Sequence, residues 1–321
     1  MSCAWLAGSS NSVKFDSLCP NVVGSADISS SVWPDAGRCR RGPLSLLSMP
    51  KTALMCPPTF FDVREAKNPY MGRPIDRKKA QQQWGNLRRA LEDSGVKVEL
   101  IDPVEGLDDM VFTANQVFVG WHDRIGKFVV PSSMHHSSRH EEVVFFTRWF
   151  RDRGYRILEV DLTDECLEGH GDLIWHLDHS RVWAGYGFRS TQGGVELFAA
   201  AMKDLGVPVV SLELVDDHCY HLDTCFCPLN GDAVLMYPAA FSGESLKKLS
   251  NHWTRIHELS RDEVQQFLGN GVVVNGHFIT PRVTPHLNEI LAREQLTPVV
   301  VETSEFEKSG GSVFCMKTFI E

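Results

Sequence analysis

A cysteine near the end of the chain follows a glycine pair by four residues, in Lys308-Ser309-Gly310-Gly311-Ser312-Val313-Phe314-Cys315-Met316-Lys317-Thr318. Glycines let a backbone approach a ligand closely, and the residues around Cys315 alternate like a short strand. A cysteine in an apolar strand is ordinarily an inert core residue. A nucleophilic role needs a base and an orienting acid. Two upstream motifs offer them, Glu168-Gly169-His170-Gly171-Asp172 and His221-Leu222-Asp223-Thr224. Cysteine, histidine and acid must meet in space, not in sequence, and such separated motifs are how that arrangement reads in a linear chain.

Two further stretches carry polar groups in unusual density. Asp109-Met110-Val111-Phe112-Thr113-Ala114-Asn115-Gln116 follows a strand, and the even spacing of Asp109 and Asn115 puts both on one side if the strand runs on. The plain alternative is a turn aspartate and an asparagine satisfied by backbone. Asp217-His218-Cys219-Tyr220-His221-Leu222-Asp223-Thr224-Cys225-Phe226-Cys227 is the densest cluster. Read as a strand, it sets His221, Asp223, Cys225 and Cys227 on one face. A zinc site is the rival, but structural zinc loops pair their ligands as Cys-x2-4-Cys on a turn, and Cys225-x-Cys227 lies in a run that reads as extended.

The elements that must position these groups begin near residue 51. Lys51 to Cys56 reads as a strand, and Lys78 to Ser94 carries Trp84, Leu87 and Leu91 at helical spacing. Strand signals follow at Val96 to Leu100 and Val111 to Val119. The rhythm then recurs as Phe128-Val129-Val130, a helix over Glu141 to Arg153 and a strand from Tyr155 to Val160. Arg181 to Ala184, a helix over Gly194 to Leu205 and Val209 to Leu212 repeat it. Ala233 to Met236 with a helix over Glu244 to Asn251 begins another round. A helix at Ser260 to Leu268, a strand at Gly271 to Val274, a helix at Pro285 to Glu294 and closing strands complete the chain. A strand-helix-strand unit repeating at roughly 50 residues points to a closed radial assembly of similar α/β units, not a single doubly wound sheet. No Gly-x-Gly-x-x-Gly follows a strand, so a dinucleotide site lacks support.

Residues 1–50 are rich in Ser, Gly and Pro and read as an irregular extension, with 51–321 as one catalytic domain. Arg38, Arg40 and Arg41 after a Ser-rich stretch allow a mitochondrial transit segment, although Asp16, Asp27 and Asp35 count against it, and Met49 is an alternative start. The 321 residues are 43% hydrophobic and can bury a sizeable core. A formal net charge of -9 argues against nucleic-acid or anionic-membrane partners and for a small-molecule substrate. Nine cysteines without regular spacing fit a reduced, cytoplasmic protein. A homo-oligomer stays open.

The phrases DMVFTAN (Asp109 to Asn115), EGHGD (Glu168 to Asp172), WAGYGFR (Trp183 to Arg189), YHLDTCFCPL (Tyr220 to Leu229), YPAAF (Tyr237 to Phe241) and the stretch Ser304 to Cys315 resemble the guanidine-modifying, or pentein, superfamily. Its members include arginine deiminases, dimethylarginine dimethylaminohydrolases, amidinotransferases and arginine dihydrolases. The resemblance runs in order from about Cys56 to the C-terminus. It implies a five-bladed α/β propeller with the site at its centre. It also implies Cys315 as nucleophile, His221 as general acid and base, and Glu168 as the carboxylate that orients His221. Asp109 and Asn115 match positions that hold the substrate's guanidinium or amine end, and Asp223 a second guanidinium contact. Asn68, in Lys67-Asn68-Pro69-Tyr70-Met71, matches a substrate-binding asparagine, and Arg189 the receptor for an α-carboxylate. The implied reaction is hydrolysis of a guanidinium C–N bond in arginine or methylated arginine through a covalent thiouronium, with no metal or organic cofactor. An amidinotransferase or a non-catalytic arginine sensor are the other classes, though a sensor would be expected to lack Cys315, His221 or Glu168. Two positions depart from the superfamily's pattern. His170 stands where many members have a small residue, and Asn115 where deiminases and dimethylaminohydrolases usually have aspartate.

Overall fold

The computed structural model describes residues 52–320. The extension expected over 1–50, its transit reading, the alternative start at Met49 and the first residue of the strand expected from Lys51 lie outside the described residues.

The strands fall into five three-stranded sheets. Four are built in chain order: Val117–His122, Gly126–Pro131 and Arg156–Ile157; Leu173–Trp175, Val182–Tyr186 and Val209–Glu213; Phe226–Pro228, Ala233–Met236 and Arg255–Glu258; Val272–Val274, His277–Thr280 and Thr297–Val300. The fifth joins the two ends of the domain, Thr318–Phe319 pairing antiparallel with Thr52–Met55, which pairs parallel with Lys97–Leu100. In every sheet the first two strands are antiparallel and the third lies parallel to the second. A parallel neighbour cannot be reached by a hairpin, so a helix makes each crossover. Those helices are Arg77–Asp93, His140–Arg151, Gln192–Asp204, Gly243–His252 and Pro285–Arg293.

Local sequence explains why the helices start where they do. Asp76, Thr191, Ser242 and Thr284 each accept a hydrogen bond from a backbone N–H of the first turn, satisfying a donor that has no partner within the helix. A capping box at Ser260 and Glu263 starts the short helix Arg261–Gln265. Ala80, Trp84, Leu87 and Leu91 bury one face of the first helix at the spacing the sequence shows. The middle strands Thr52–Met55 and Ala233–Met236 are buried throughout, whereas the outer strands Lys97–Leu100, Arg255–Glu258 and Thr297–Val300 are exposed at both ends. Helix on one side and the molecule's interior on the other bury the middle strands on both faces.

Two strand readings are corrected. Val111 to Val119 is extended only from Val117, because Phe112 N–H bonds to Asp109 O (3.0 Å), Asn115 N–H to Phe112 O (3.3 Å), and the Thr113 hydroxyl to Leu54 O (3.1 Å). Asp217 to Cys227 is not one strand either. Asp217–Cys219 and Leu222–Thr224 are turns of 3-10 helix, and the strand starts at Phe226. Asp216 caps His218 N–H (3.0 Å), and Asp172 receives Leu222 N–H (3.0 Å), so side chains take the backbone donors that a strand would use.

Packing within one sheet is tight at Gly120, opposite Phe128, where an added Cβ would fall 2.4 Å from the ring's Cζ. Gly120→Ala should therefore overpack the sheet and lower stability by about 1–3 kcal/mol, read as a lower urea midpoint at unchanged slope. An unmoved midpoint would show that Phe128 has room to turn.

Candidate active site

Cys315 does not lie in a strand. Val313 to Met316 form a turn, closed by Met316 N–H on Ser312 O (3.2 Å), and extended structure resumes only at Thr318. Asn270, itself fully buried, holds the turn. Its Oδ1 accepts from Phe314 N–H (3.1 Å), its Nδ2 donates to Asp223 O (2.9 Å), and Nδ2 also stands 3.2 Å from Cys315 Sγ. The thiol donates to Asp223 Oδ2 at 3.0 Å. Burial pushes the Cys315 thiol well up, and the Asp223 charge and hydrogen bond push it further. Burial likewise raises the Asp223 carboxyl, to about 6.

His221 projects from the residue before the second 3-10 turn, and its Nε2 lies 2.7 Å from Glu168 Oε2. Glu168 accepts only as a carboxylate, so Nε2 carries the proton and Nδ1 is left as the basic nitrogen. Glu168 has no exposed surface, yet it also accepts from Arg189 Nη1 (3.1 Å) and His135 N–H (2.9 Å). Burial would raise its pKa, but Arg189 and the His221 hydrogen bond overcome this and hold the carboxyl well below the usual range. Gly171 is required beside them, since a Cβ there would lie 2.4 Å from Asn115 Nδ2 and 3.2 Å from His221 Nδ1.

Cys315 and His221 line one cavity with Asn68, Asp109, Asn115, Arg189, Lys67 and Arg139. Of the eight residues singled out in the sequence, only Glu168 and Asp223 are absent from its wall; they touch His221 and Cys315 respectively. The expected guanidinium contact through Asp223 thus meets a carboxylate with one oxygen taken by the thiol. Asn68 uses both ends of its amide on backbone, donating to Ser309 O (2.9 Å) and accepting from Tyr70 N–H (3.0 Å). It pins its loop against Gly310, which has φ +86° and no room for a Cβ between Asn68 and the Tyr220 hydroxyl. The glycine pair therefore admits protein side chains, Phe112 against Gly311 included. Arg189 reaches Lys67 O with Nη2 (3.0 Å) while its guanidinium lies 4.8 Å from the Tyr220 ring centre.

Arg139, Asn270 and Lys67 escaped the sequence reading. Arg139 is buried and donates to Glu142 Oε2 (2.9 Å) and Asn115 Oδ1 (3.1 Å). Burial opposes its charge, but Glu142 and Asp109 more than offset that. Its only local signal is Glu142 three residues on. His170 is accounted for as well: its Nε2 accepts from Val119 N–H (2.9 Å) and its Nδ1 bonds Leu173 O (3.0 Å), so it braces a sheet edge. Burial pushes its pKa down to about 3, which keeps it neutral. Cys225 and Cys227 donate to carbonyls, and burial pushes both thiols up, Cys227 to about 12, the opposite of what zinc ligation asks of a thiol. Among the described residues the group with metal-ligand proximity is Asp216, Asp217 and His218, open to solvent.

The arrangement is a thiol, an imidazole with its basic nitrogen free, and a buried carboxylate behind the imidazole. It suits covalent attack on a cationic carbon centre. Because ionised Asp223 disfavours the thiolate, Asp223→Asn should lower the Cys315 pKa and speed its alkylation by iodoacetamide about tenfold at pH 8 for each unit removed. The gain should shrink below pH 6, where Asp223 is already protonated. Peptide mapping of the alkylated cysteine reads this directly, and equal rates at pH 8 would contradict it.

Residues 66–320 match the model of the family described as N,N dimethylarginine dimethylhydrolase, eukaryotic. The chain is 36% identical over 268 residues to the bifunctional arginine dihydrolase/ornithine cyclodeaminase ArgZ of Synechocystis sp., a match taking in 82% of this chain but 37% of that protein. It is 37% identical over 263 residues to the N(G),N(G)-dimethylarginine dimethylaminohydrolase of Mycobacterium tuberculosis, covering 81% and 83% of the two chains. The crystal structure of a mutant N-terminal domain of ArgZ bound to substrate superposes with a TM-score of 0.77 at 35% identity, over 83% of this chain and 97% of that one. A second ArgZ structure, covalently bound to a reaction intermediate, superposes at 0.78 and 35% identity, over 84% of this chain and 97% of that one. No described helix is long and apolar enough to cross a membrane. The chain belongs to the N,N dimethylarginine dimethylhydrolase family.

Proposed function

We propose that this protein hydrolyses the guanidinium C–N bond of arginine through a covalent thiouronium on Cys315, and carries the ureido product through a second hydrolysis to ornithine, carbon dioxide and ammonia. Five three-stranded sheets of one pattern, with the two ends of the domain paired through Thr318–Phe319 and Thr52–Met55, support a five-bladed propeller with the cavity at its centre. The likeness to ArgZ, whose structures hold a substrate and a covalent intermediate, supports the reaction class. The six described cysteines are free thiols, which supports a cytoplasmic setting.

The docking guanidinium brings positive charge to the thiol and favours its ionisation. His221 Nδ1 takes the Cys315 proton as Sγ bonds to the central carbon. The same proton then passes to the departing nitrogen, the C–N bond breaks, and ammonia leaves. Glu168 holds the ring and stabilises its transient charge, as the 2.7 Å contact permits. Water deprotonated by Nδ1 next attacks the thiouronium carbon, the S–C bond breaks, and citrulline and free Cys315 result.

Asn115 carries the second step. Arg139 can only donate, so Asn115 Oδ1 must be the atom facing it at 3.1 Å, and Nδ2 is the end left buried without a partner beside His221. A guanidinium has no acceptor for that N–H, whereas the ureido oxygen of citrulline does. Retained citrulline meets Cys315 again: Sγ bonds to the ureido carbon, the C–NH2 bond breaks and ammonia leaves, then water attacks the resulting thiocarbamate, the S–C bond breaks to free Cys315, and the released carbamate splits into ornithine and carbon dioxide. Aspartate at this position could offer no such donor and would favour release. The second reading, release of citrulline and dimethylamine from dimethylarginine, is favoured by the family match itself and uses the same Cys315, His221 and Glu168.

Purified protein given arginine, citrulline or asymmetric dimethylarginine should form ornithine from arginine, followed by mass. Asn115→Asp should shift the product to citrulline. Citrulline alone from the unmodified protein, with dimethylarginine preferred, would sink the dihydrolase reading and leave the other. In His221→Gly, intact-protein mass spectrometry should trap an adduct on Cys315; mapping it to Cys225 or Cys227 would overturn the nucleophile.

A further inference from the structure

We propose that Asn270 is a catalytic residue whose side-chain N–H donates to the Cys315 sulfur and stabilises it whenever it carries negative charge. This rests on the function proposed above and adds a group at the reacting atom that is not on the cavity wall.

The amide can face the sulfur only one way round. Asn270 has no exposed surface, and its Oδ1 lies 3.1 Å from Phe314 N–H and 3.4 Å from Cys315 N–H, both of which can only donate. Its Nδ2 lies 2.9 Å from Asp223 O, which can only accept. An amide nitrogen carries two N–H bonds, so one is taken by that carbonyl and the other is left for Sγ, at 3.2 Å. Three backbone groups thus fix the donor against the sulfur before any ligand arrives.

The other groups around the sulfur give this donor its task. Asp223 Oδ2, 3.0 Å from Sγ, holds the thiol proton and opposes a thiolate. The Tyr220 hydroxyl is spent on Gly310 O (2.6 Å), and burial pushes the phenol well up. His221 Nδ1 has to take the thiol proton. Lys317, two residues on, lies 3.2 Å from the centre of the Phe314 ring, with burial lowering its pKa to about 7. The Ser312 backbone N–H and Asn270 Nδ2 are the hydrogen-bond donors that favour the anion. Charge sits on the sulfur twice in the reaction: as its proton passes to His221 before the S–C bond closes, and as that bond breaks, when the electron pair stays on sulfur until His221 returns a proton. In the thiouronium between, sulfur is bonded to a cationic carbon and accepts poorly. A hydrogen bond that strengthens as the S–C bond breaks lowers the barrier to that step. At the attack, the thiolate gained outweighs the nucleophilicity lost, which falls by only ~0.4–0.5 log unit per pKa unit.

The test is alkylation of Cys315 by iodoacetamide, read by peptide mapping between about pH 6 and about pH 11, in Asp223→Ala, which removes the opposing carboxylate without adding a donor. Adding Asn270→Leu, which keeps the volume, should raise the midpoint by at least about one unit, about a tenfold loss of thiolate below it, and leave the plateau rate within about threefold. An unmoved midpoint, with or without a lower plateau, would overturn the proposal, because a residue that only braces the turn changes access to the thiol and not its ionisation. Should Asn270→Leu fail to fold, the side-chain amide protons of Asn270 in Asp223→Ala carry the test by NMR: one should move with the Cys315 titration, and resonances that do not follow it would overturn the proposal. Turnover of arginine by the unmodified protein is the separate check. Its absence beside a raised midpoint would remove the function and leave the Asn270 contact with the sulfur standing.

Discussion

Glu168 holds a negative charge with no surface in water, and a charge so placed must be paired or neutralised. Much of the site follows from how that demand is met. His221 and Arg189 share Oε2, and His135 N–H occupies Oε1, so three separate segments are drawn to one carboxylate. Removing Arg189 would strip Glu168 of its largest compensating charge and leave it with His221 and the more distant Arg139. The orientation of His221 and the wall of the cavity are therefore linked through one arginine.

The same rule orders the cavity wall. Lys67 pairs with Asp109, Arg139 with Glu142, and Arg189 with Glu168, at 2.7, 2.9 and 3.1 Å. These pairs hold segments and turns together at the cavity, where some buried atoms stay unpaired. On the cavity wall those are Asp109 Oδ1, Asn115 Nδ2 and Ser309 Oγ, and Asp223 Oδ1 lies behind Cys315. Buried polar atoms without partners are costly and uncommon, so their gathering around one cavity fits a site whose ligand supplies the missing partners.

The helices and middle strands were legible because each depends on local signals: apolar spacing, Ser, Thr or Asp caps, and continuous apolar runs between turns. Boundaries for Arg77–Asp93 and Pro285–Arg293 fall within a residue of expectation. The loops that carry chemistry were not legible as structure. Tyr220 to Phe226 has strand composition, yet Asp172, fifty residues away, takes Leu222 N–H and turns the segment into a 3-10 helix. Residue types alone marked Cys315, His221 and Glu168, but the resemblance supplied their roles. Arg139 and Asn270 left no such trace. An arginine before a helix and an asparagine after a phenylalanine in left-handed conformation look like surface residues until the fold buries them.

In the proposed reaction, the orientation of one amide, Asn115, sets the course. Were Arg139 absent, the amide could turn either way, and the residue would be as ready to accept as to donate. An obligate donor 3.1 Å from Oδ1 removes that freedom and fixes an N–H toward the side of His221 and Gly171. Gly171 is part of the same device, since any side chain there would occupy the space of Nδ2. Asp223 acts in the opposite sense at Cys315, holding the nucleophile as a thiol until a ligand's positive charge offsets the carboxylate. A cationic guanidinium activates the thiol directly. A neutral ureido group cannot, and its second attack depends on being held long enough for a scarcer thiolate to form. Under the proposed reaction, retention by Asn115 and restraint by Asp223 are thus two halves of one requirement: the second attack proceeds only in a site that does not let its intermediate go.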